Sequence, residues 1–193
     1  MWILPQDHNR IQLRDGRFVV HGLDPNNAVE VSACFFLEPE RKLGAISRLS
    51  GRAVTDAAGP INVRLQPCGI ARARLVTTDG KPLGHYPARW LATLVVTPGP
   101  LLGVQAKDGL LFAEEAGVTE LDPVNYRNDF QSDAEGRLTF PALIPGATYR
   151  IEDSTPTFGG GDPVIRKEFT VQTGEALDLG DIVIASPQER NER

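Results

Sequence analysis

The sequence predicts an all-β protein with antiparallel sheets, and three observations support this class. Short segments of alternating apolar and polar side chains recur along the chain, seven of them between residues 70 and 186. The 19 glycines and 15 prolines are scattered between these segments, as turn residues are. No segment shows the period of an amphipathic helix. Together these features predict a β-sandwich over residues 70–186.

Residues 133–151 show the strand pattern most clearly and are predicted to form a β-hairpin. An Asp-x-x-Gly turn opens the segment, and Leu138 and Phe140 then alternate with polar neighbours. Pro145-Gly146 predicts a tight turn with a positive φ at the glycine. Tyr149 and Ile151 resume the period of two on the second strand.

A second copy of this pattern lies 120 positions earlier in the chain. Gly16-Arg17 aligns with Gly136-Arg137 without a gap, and Asn26 takes the place of Gly146. Asn is the non-glycine residue expected there, because it tolerates a left-handed backbone. The other aligned pairs are Leu23 with Leu143, Pro25 with Pro145, Val29 with Tyr149 and Val31 with Ile151. The chain is therefore predicted to contain a partial β unit (1–69), a complete unit (70–187) and a polar tail (188–193).

The remaining strands follow from the same alternation. They are predicted at residues 28–37, 45–49, 52–55, 61–65, 71–76, 88–96, 164–171 and 181–185. Residues 1–9 are predicted to be a loosely held lead-in. The irregular insert 101–128 is predicted to carry a short strand at 124–126 or to cover one sheet edge. The partial unit has an open edge, which we expect a strand of the second unit or of another chain to fill.

Composition excludes several classes of function. A net charge of −5 argues against a dedicated nucleic-acid binder, since phosphate neutralisation needs a basic face. No apolar run is long enough for a transmembrane segment, and residues 1–7 lack the basic and apolar regions of a signal peptide. The two cysteines, Cys34 and Cys68, are predicted either as buried thiols or as a disulfide, and no Cys/His cluster predicts zinc.

Three runs in residues 70–186 resemble the carboxypeptidase regulatory-like, or transthyretin-like, β-sandwich. They are Ala73-Arg74-Leu75-Val76 with Asp79-Gly80-Lys81-Pro82-Leu83, the Asp133 to Tyr149 pattern, and Leu177-Asp178-Leu179-Gly180-Asp181-Ile182. Residues 10–68 resemble the back half of a second copy. The resemblance implies a transthyretin-like or Ig-like fold and a non-catalytic accessory module of a larger envelope or secreted assembly. It implies a protein partner or self-association, and a location in the cell envelope or outside the cell.

An enzyme is the least favoured class. Intradiol dioxygenases share a similar sandwich and hairpin, but their iron needs two tyrosines and a His-x-His pair. The three histidines, His8, His21 and His85, form no such pair. No nucleophile triad or phosphate loop is present, so we predict no catalytic residue, no cofactor and no metal ligand.

Two further features have a structural and a functional interpretation. The acids Asp122, Asp129, Asp133 and Glu135 are predicted to cap turns, with a weak calcium site as the alternative. Trp90, Tyr86 and Tyr126 are the candidate ligand-binding residues, because aromatic rings stack on sugars. A carbohydrate- or peptide-binding module is therefore the alternative function.

Overall fold

The computed structural model describes residues 2–4, 17, 34–47, 62–88, 91–95, 105–106, 109–110, 115–118, 122–127, 130–153 and 164–184. These residues are organised in strands and turns, which confirms the predicted all-β class for this part of the chain. The strands described are β1 (Trp2–Leu4), β2 (Cys34–Glu38), β3 (Leu43–Ser47), β4 (Gln66–Pro67), β5 (Gly69–Val76), β6 (Ala92–Val95), β7 (Gln105–Ala106), β8 (Gly109–Leu110), β9 (Glu115–Gly117), β10 (Arg137–Leu143), β11 (Thr148–Asp153), β12 (Val164–Thr170) and β13 (Ala176–Val183).

The strands form three larger sheets and one small pair. Sheet A has the order β1-β2-β3-β4, sheet B the order β10-β5-β13, and sheet C the order β12-β11-β6-β9. β7 and β8 pair only with each other among the described strands. Within sheet B, β5 is antiparallel to β10 but parallel to β13. The prediction of purely antiparallel sheets is therefore wrong for this pair.

Sheet A begins with residues that were expected to be a loose lead-in. β1 pairs with β2, with Trp2 opposite Leu37 and Leu4 opposite Phe35, so the expectation is wrong for Trp2–Leu4. This pairing places a strand from the chain's own first residues against β2. β1 thus occupies one edge of β2, and the addition of a strand from the second unit or from another chain to the partial unit stays a prediction.

Residues 133–151 do not form a hairpin, although both of their turns are as predicted. Gly136 (φ +77°) closes the first turn, and a side chain there would collide with the carbonyl oxygen of Leu75. Gly146 has φ +77° in the second turn. However, β10 pairs with β5 in sheet B, whereas β11 pairs with β6 and β12 in sheet C. The Pro145-Gly146 turn is therefore a corner at which the chain passes from one sheet to the other.

One buried cluster joins the sheets. Alternate residues of β10 and β11 enter it, including Leu138, Phe140, Tyr149 and Ile151. The other members of this cluster come from all three large sheets; among them are Phe35 and Leu37 of β2, Leu75 of β5, Leu94 of β6, Phe169 of β12 and Ile182 of β13. Burial of such side chains is worth about 1.5–3 kcal/mol each, which makes this cluster the main stabilising feature of the described part.

Two predicted strands are wrong. Residues 62–65 are not in a strand, although Val63 and Leu65 are half-buried and Asn62 and Arg64 are exposed; the pairing strand is β4, directly after them. Residues 124–126 form a turn instead of a strand. The other expectation for the insert is confirmed, because β9 pairs with β6 and so covers that edge of sheet C.

Other predicted strands are found with different limits. β6 is shorter than the predicted 88–96, since the Leu91 N–H donates to the Ala88 carbonyl in a turn. β13 starts at Ala176, five residues before the predicted position. Apart from Arg17, the repeat at residues 16–31 lies outside the described residues, as do 52–55 and the tail 188–193. The repeat and the division into two units stay predictions.

Candidate functional site

The corner between β10 and β11 is held by two buried tyrosine hydroxyls. β10 contains a bulge, where Ala142 has φ +56° and the ladder to β5 shifts register. The Tyr126 hydroxyl donates to the Pro141 carbonyl at 2.5 Å. The Ile144 N–H donates to the Tyr149 hydroxyl at 2.8 Å. Backbone groups that the bulge and corner remove from the ladder are thus satisfied by side chains.

A buried carboxylate ties the neighbouring turn to sheet A. Asp122 is 1% exposed and accepts two hydrogen bonds from Asn125, one from its backbone N–H at 2.9 Å and one from its side-chain amide at 2.8 Å. The same amide donates to the Pro39 carbonyl at 2.9 Å. Because Pro39 directly follows β2, Asn125 joins the turn at 122–127 to sheet A. This role of Asn125 depends on a contact with Pro39, 86 positions away, and so was not apparent in the sequence.

Cys68, Asp122, Asn125, Tyr126 and Tyr149 together form what we name the corner cluster. Burial raises the pKa of the Cys68 thiol to about 12 and raises the pKa of the Asp122 carboxyl. Burial also raises the pKa values of the Tyr126 and Tyr149 hydroxyls well above their ordinary value. The thiol and both hydroxyls therefore keep their protons at neutral pH, which makes them poor nucleophiles and poor anionic metal ligands.

The structure also decides between the two predictions for the cysteines. Cys68 is a free thiol. The backbone N–H of Cys68 donates a hydrogen bond to the carbonyl of Lys42, the residue just before β3. Cys34 pairs with Ser47, at the other end of β3. The four-residue rise between these ends is about 13 Å, well beyond the distance of about 7 Å that a disulfide can bridge between Cα atoms. A Cys34–Cys68 disulfide is therefore excluded.

The predicted turn caps are confirmed at Asp133. Its carboxylate accepts hydrogen bonds from the N–H groups of Glu135 (3.0 Å) and Arg137 (2.7 Å). Asp129 lies outside the described residues. Among the residues that the structure describes, no group of three or more His, Cys, Asp and Glu side chains is placed to hold a metal ion.

Of the three candidate ligand-binding aromatics, the structure describes Tyr86 and Tyr126, and neither is fully exposed. Tyr126 is buried, and its ring contacts Phe130 edge-on with 5.0 Å between the ring centres. Tyr86 is half-buried, and its N–H donates to the Ser132 hydroxyl at 2.9 Å. Trp90 lies outside the described residues. Tyr126 therefore belongs to the core, and ligand stacking by Tyr86 and Trp90 stays a prediction.

A second feature was missed from the sequence: a row of arginines on the solvent side of sheet B. Arg72 and Arg74 are alternate residues of β5, and Arg137 on β10 lies directly opposite Arg74. Thr139 lies opposite Arg72 in the same ladder and is exposed. The only available signal was the alternation Arg72-Ala73-Arg74, which did not show that Arg137 would be the neighbour. We name Arg72, Arg74, Arg137 and Thr139 the arginine face.

The ion pairs of the arginine face are long and exposed. Arg74 lies 3.5 Å from Asp181 of β13, and Arg137 lies 3.9 Å from Glu135. The side chain of Arg72 makes no hydrogen bond or ion pair with any residue that the structure describes. Exposed pairs of this kind contribute only about 0–1 kcal/mol to stability. The arginine face is therefore not explained by the stability of the sheet.

No family model, curated protein or solved structure matches this chain. The described part of the chain contains no helix of the length and apolarity needed to cross a membrane.

Proposed function

We propose that this chain is a non-catalytic structural or protein-interaction module built on a transthyretin-like β-sandwich. Sheets B and C are the two layers of the sandwich in this proposal, and the buried cluster shared by β5, β10, β11 and β13 supports it. Sheet A would then belong to the partial, related unit that precedes the sandwich.

The observation that carries the non-catalytic proposal is how the corner cluster uses its polar groups. Both tyrosine hydroxyls bond to the backbone at residues 141–144, and Asp122 bonds to Asn125. Each of these groups is engaged in holding the chain, and burial keeps the hydroxyls protonated. A reaction centre instead needs groups that are open to a substrate and that exchange protons near neutral pH.

We further propose that the module serves in a larger envelope or secreted assembly, as the resemblance of residues 70–186 implies. Its contacts would be made by solvent-facing sheet surfaces, one of which is the arginine face. The binding of a carbohydrate through Trp90 and Tyr86 is the alternative function.

Light scattering over a protein concentration series, combined with a glycan-binding screen, tests this proposal. We expect the mass to rise with concentration and no glycan to bind. A monomer at every concentration that binds a glycan, and loses the glycan in Trp90→Ala, would support the alternative. If the protein turned over a substrate, and this activity were lost both in Tyr126→Phe and in Tyr149→Phe, the corner cluster would be an active site.

A further inference from the structure

The arginine face places three guanidinium groups close together in a chain of net charge −5. Arg74 and Arg137 are directly opposite each other on antiparallel strands, where like charges are unfavourable. Arg72 lies two residues along β5 from Arg74, on the same side of the sheet. These three guanidinium groups lie near Asp178, Asp181 and Glu135, yet none of them makes a short two-point bond to a carboxylate that the structure describes, which packing does not explain.

The acidic residues near this face leave most of its guanidinium donors without a bond. Asp178 and Asp181 of β13 lie next to Arg72 and Arg74 in the ladder, at one edge of sheet B, and Glu135 lies at the other edge, in the turn before β10. Asp181 is paired with Arg74 through one nitrogen at 3.5 Å, Glu135 lies 3.9 Å from Arg137, and the Arg74 Nε–H donates to the Glu135 carbonyl at 3.4 Å. A guanidinium has five N–H donors and prefers two parallel bonds to a carboxylate. Most of the donors on β5 and β10 therefore stay available to a ligand.

The spacing of these groups fits one kind of ligand. Alternate residues of β5 are about 6.6 Å apart, and alternate residues of any extended peptide repeat at the same distance. Carboxylates at alternate positions of an extended segment can therefore meet Arg72 and Arg74 in turn. Arg137, about 5 Å across the ladder from Arg74, can share the carboxylate that binds Arg74.

We propose that the arginine face binds an extended acidic segment of a partner protein, with acidic side chains at alternate positions. This proposal rests on the proposed interaction function and names its partner chemistry. Charge complementarity makes the contact specific and sensitive to salt. Thr139 lies beside Arg72 and offers a hydroxyl to the same segment.

Fluorescence anisotropy with a labelled peptide of alternating Glu and Thr tests the proposal. Two control peptides are used, one with Gln in place of every Glu and one of identical composition with all Glu residues contiguous. We expect the alternating peptide to bind best and the Gln peptide not to bind. We also expect binding to weaken as salt is added.

A pair of charge-matched variants tests the location of the site. Arg72→Gln with Arg137→Gln removes two charges from the arginine face and leaves the Arg74–Asp181 pair intact. Arg166→Gln with Lys167→Gln removes two exposed charges from β12, which belongs to sheet C. We expect the first pair to weaken peptide binding about tenfold or more and the second to change it little. Arg72→Lys with Arg137→Lys should have an intermediate effect, since charge is kept but two-point bonding is lost.

Three results would overturn the proposal. One is absence of binding by the alternating peptide, and another is an equal loss in both charge-matched pairs. The third is equal or tighter binding of heparin, with the same dependence on Arg72 and Arg137, which would assign the face to an anionic polysaccharide. If the peptide result is negative while light scattering still shows self-association, only the arginine face is wrong and the interaction function stands.

Discussion

The corner cluster and the arginine face use ionisable side chains in opposite ways. In the corner cluster, Tyr126 and Tyr149 are buried, and each makes a hydrogen bond of 2.5–2.8 Å to the backbone. On the arginine face, the side chains of Arg74 and Arg137 are 42% and 70% exposed and lie 3.5–3.9 Å from carboxylates. Groups that are satisfied inside the molecule stabilise it, whereas groups that are left unsatisfied on the surface are available to another molecule.

The largest effect is expected from removing the Tyr149 hydroxyl. Tyr149→Phe keeps the ring against Phe169 but leaves the buried Ile144 N–H without its acceptor. The free energy of unfolding should fall by about 2 kcal/mol, measured by urea denaturation. Tyr126→Phe is the comparison variant and should lower the free energy of unfolding by about 1 kcal/mol. The Pro141 carbonyl then loses one donor, which costs less than leaving the Ile144 N–H without an acceptor. Loss of less than about 0.5 kcal/mol in Tyr149→Phe would mean that this bond does not hold the corner.

Asn125→Ala should destabilise the protein by a smaller amount, and the loss should depend on pH. The substitution removes a donor to Asp122 and the contact with Pro39, which costs about 1–2 kcal/mol at neutral pH. The side chain of Asn125 lowers the pKa of Asp122, so its removal raises that already raised pKa further. The loss should therefore shrink as the pH falls and Asp122 becomes protonated.

The exposed Asn62 provides the control, and Asn62→Ala should change stability little at any pH. A loss in Asn125→Ala that is constant from neutral to acidic pH would contradict the role of Asp122.

Cys68 should react slowly in the folded protein. In a Cys34→Ser background it is the only thiol, and the pKa of about 12 leaves very little thiolate near neutral pH. We expect labelling by a chromogenic disulfide reagent to be at least about tenfold slower in buffer than in urea. Equal rates in the two solutions would show that the thiol is not protected by burial.

The smallest effect on stability is expected on the arginine face. Arg72→Gln with Arg137→Gln should change the free energy of unfolding by less than about 0.5 kcal/mol, since no short bond is lost. This is the same pair that should abolish most peptide binding. A loss comparable to that of Tyr149→Phe would show that the face is structural and would remove the contrast with the corner cluster.

Turn chemistry was predictable from the sequence because it is local. Asp133 and Gly136 form the expected turn, and Gly146 has the expected positive φ. The pairing of the strands was not predictable, because a hairpin and a corner between sheets share the same alternation and the same Pro-Gly turn. Residues 62–65 show the related case, in which burial alternates along a segment that pairs with none of the described strands.

The candidate site was largely hidden from the sequence for the same reason. Tyr126 was noticed as an aromatic residue, but its role depends on a bulge in β10 that brings the Pro141 carbonyl to its hydroxyl. Arg137 becomes part of the arginine face only through the register of β10 on β5. Such roles depend on contacts between distant parts of the chain, and local patterns carry no information on them.

Ultraviolet titration of the tyrosines tests the central claim most directly, namely that the corner cluster is structural. Burial raises the folded-state pKa of Tyr126 and Tyr149 above the ordinary value of 10.0. The folded protein thus holds these protons more tightly than the unfolded chain, so stability is kept below about pH 10 and falls as the pH rises further. We predict that two of the three tyrosines ionise only as the protein unfolds. Circular dichroism of the same samples measures the unfolding. Ionisation of either Tyr126 or Tyr149 in the folded protein near neutral pH, identified with the two Phe variants, would contradict the account and indicate a reactive site.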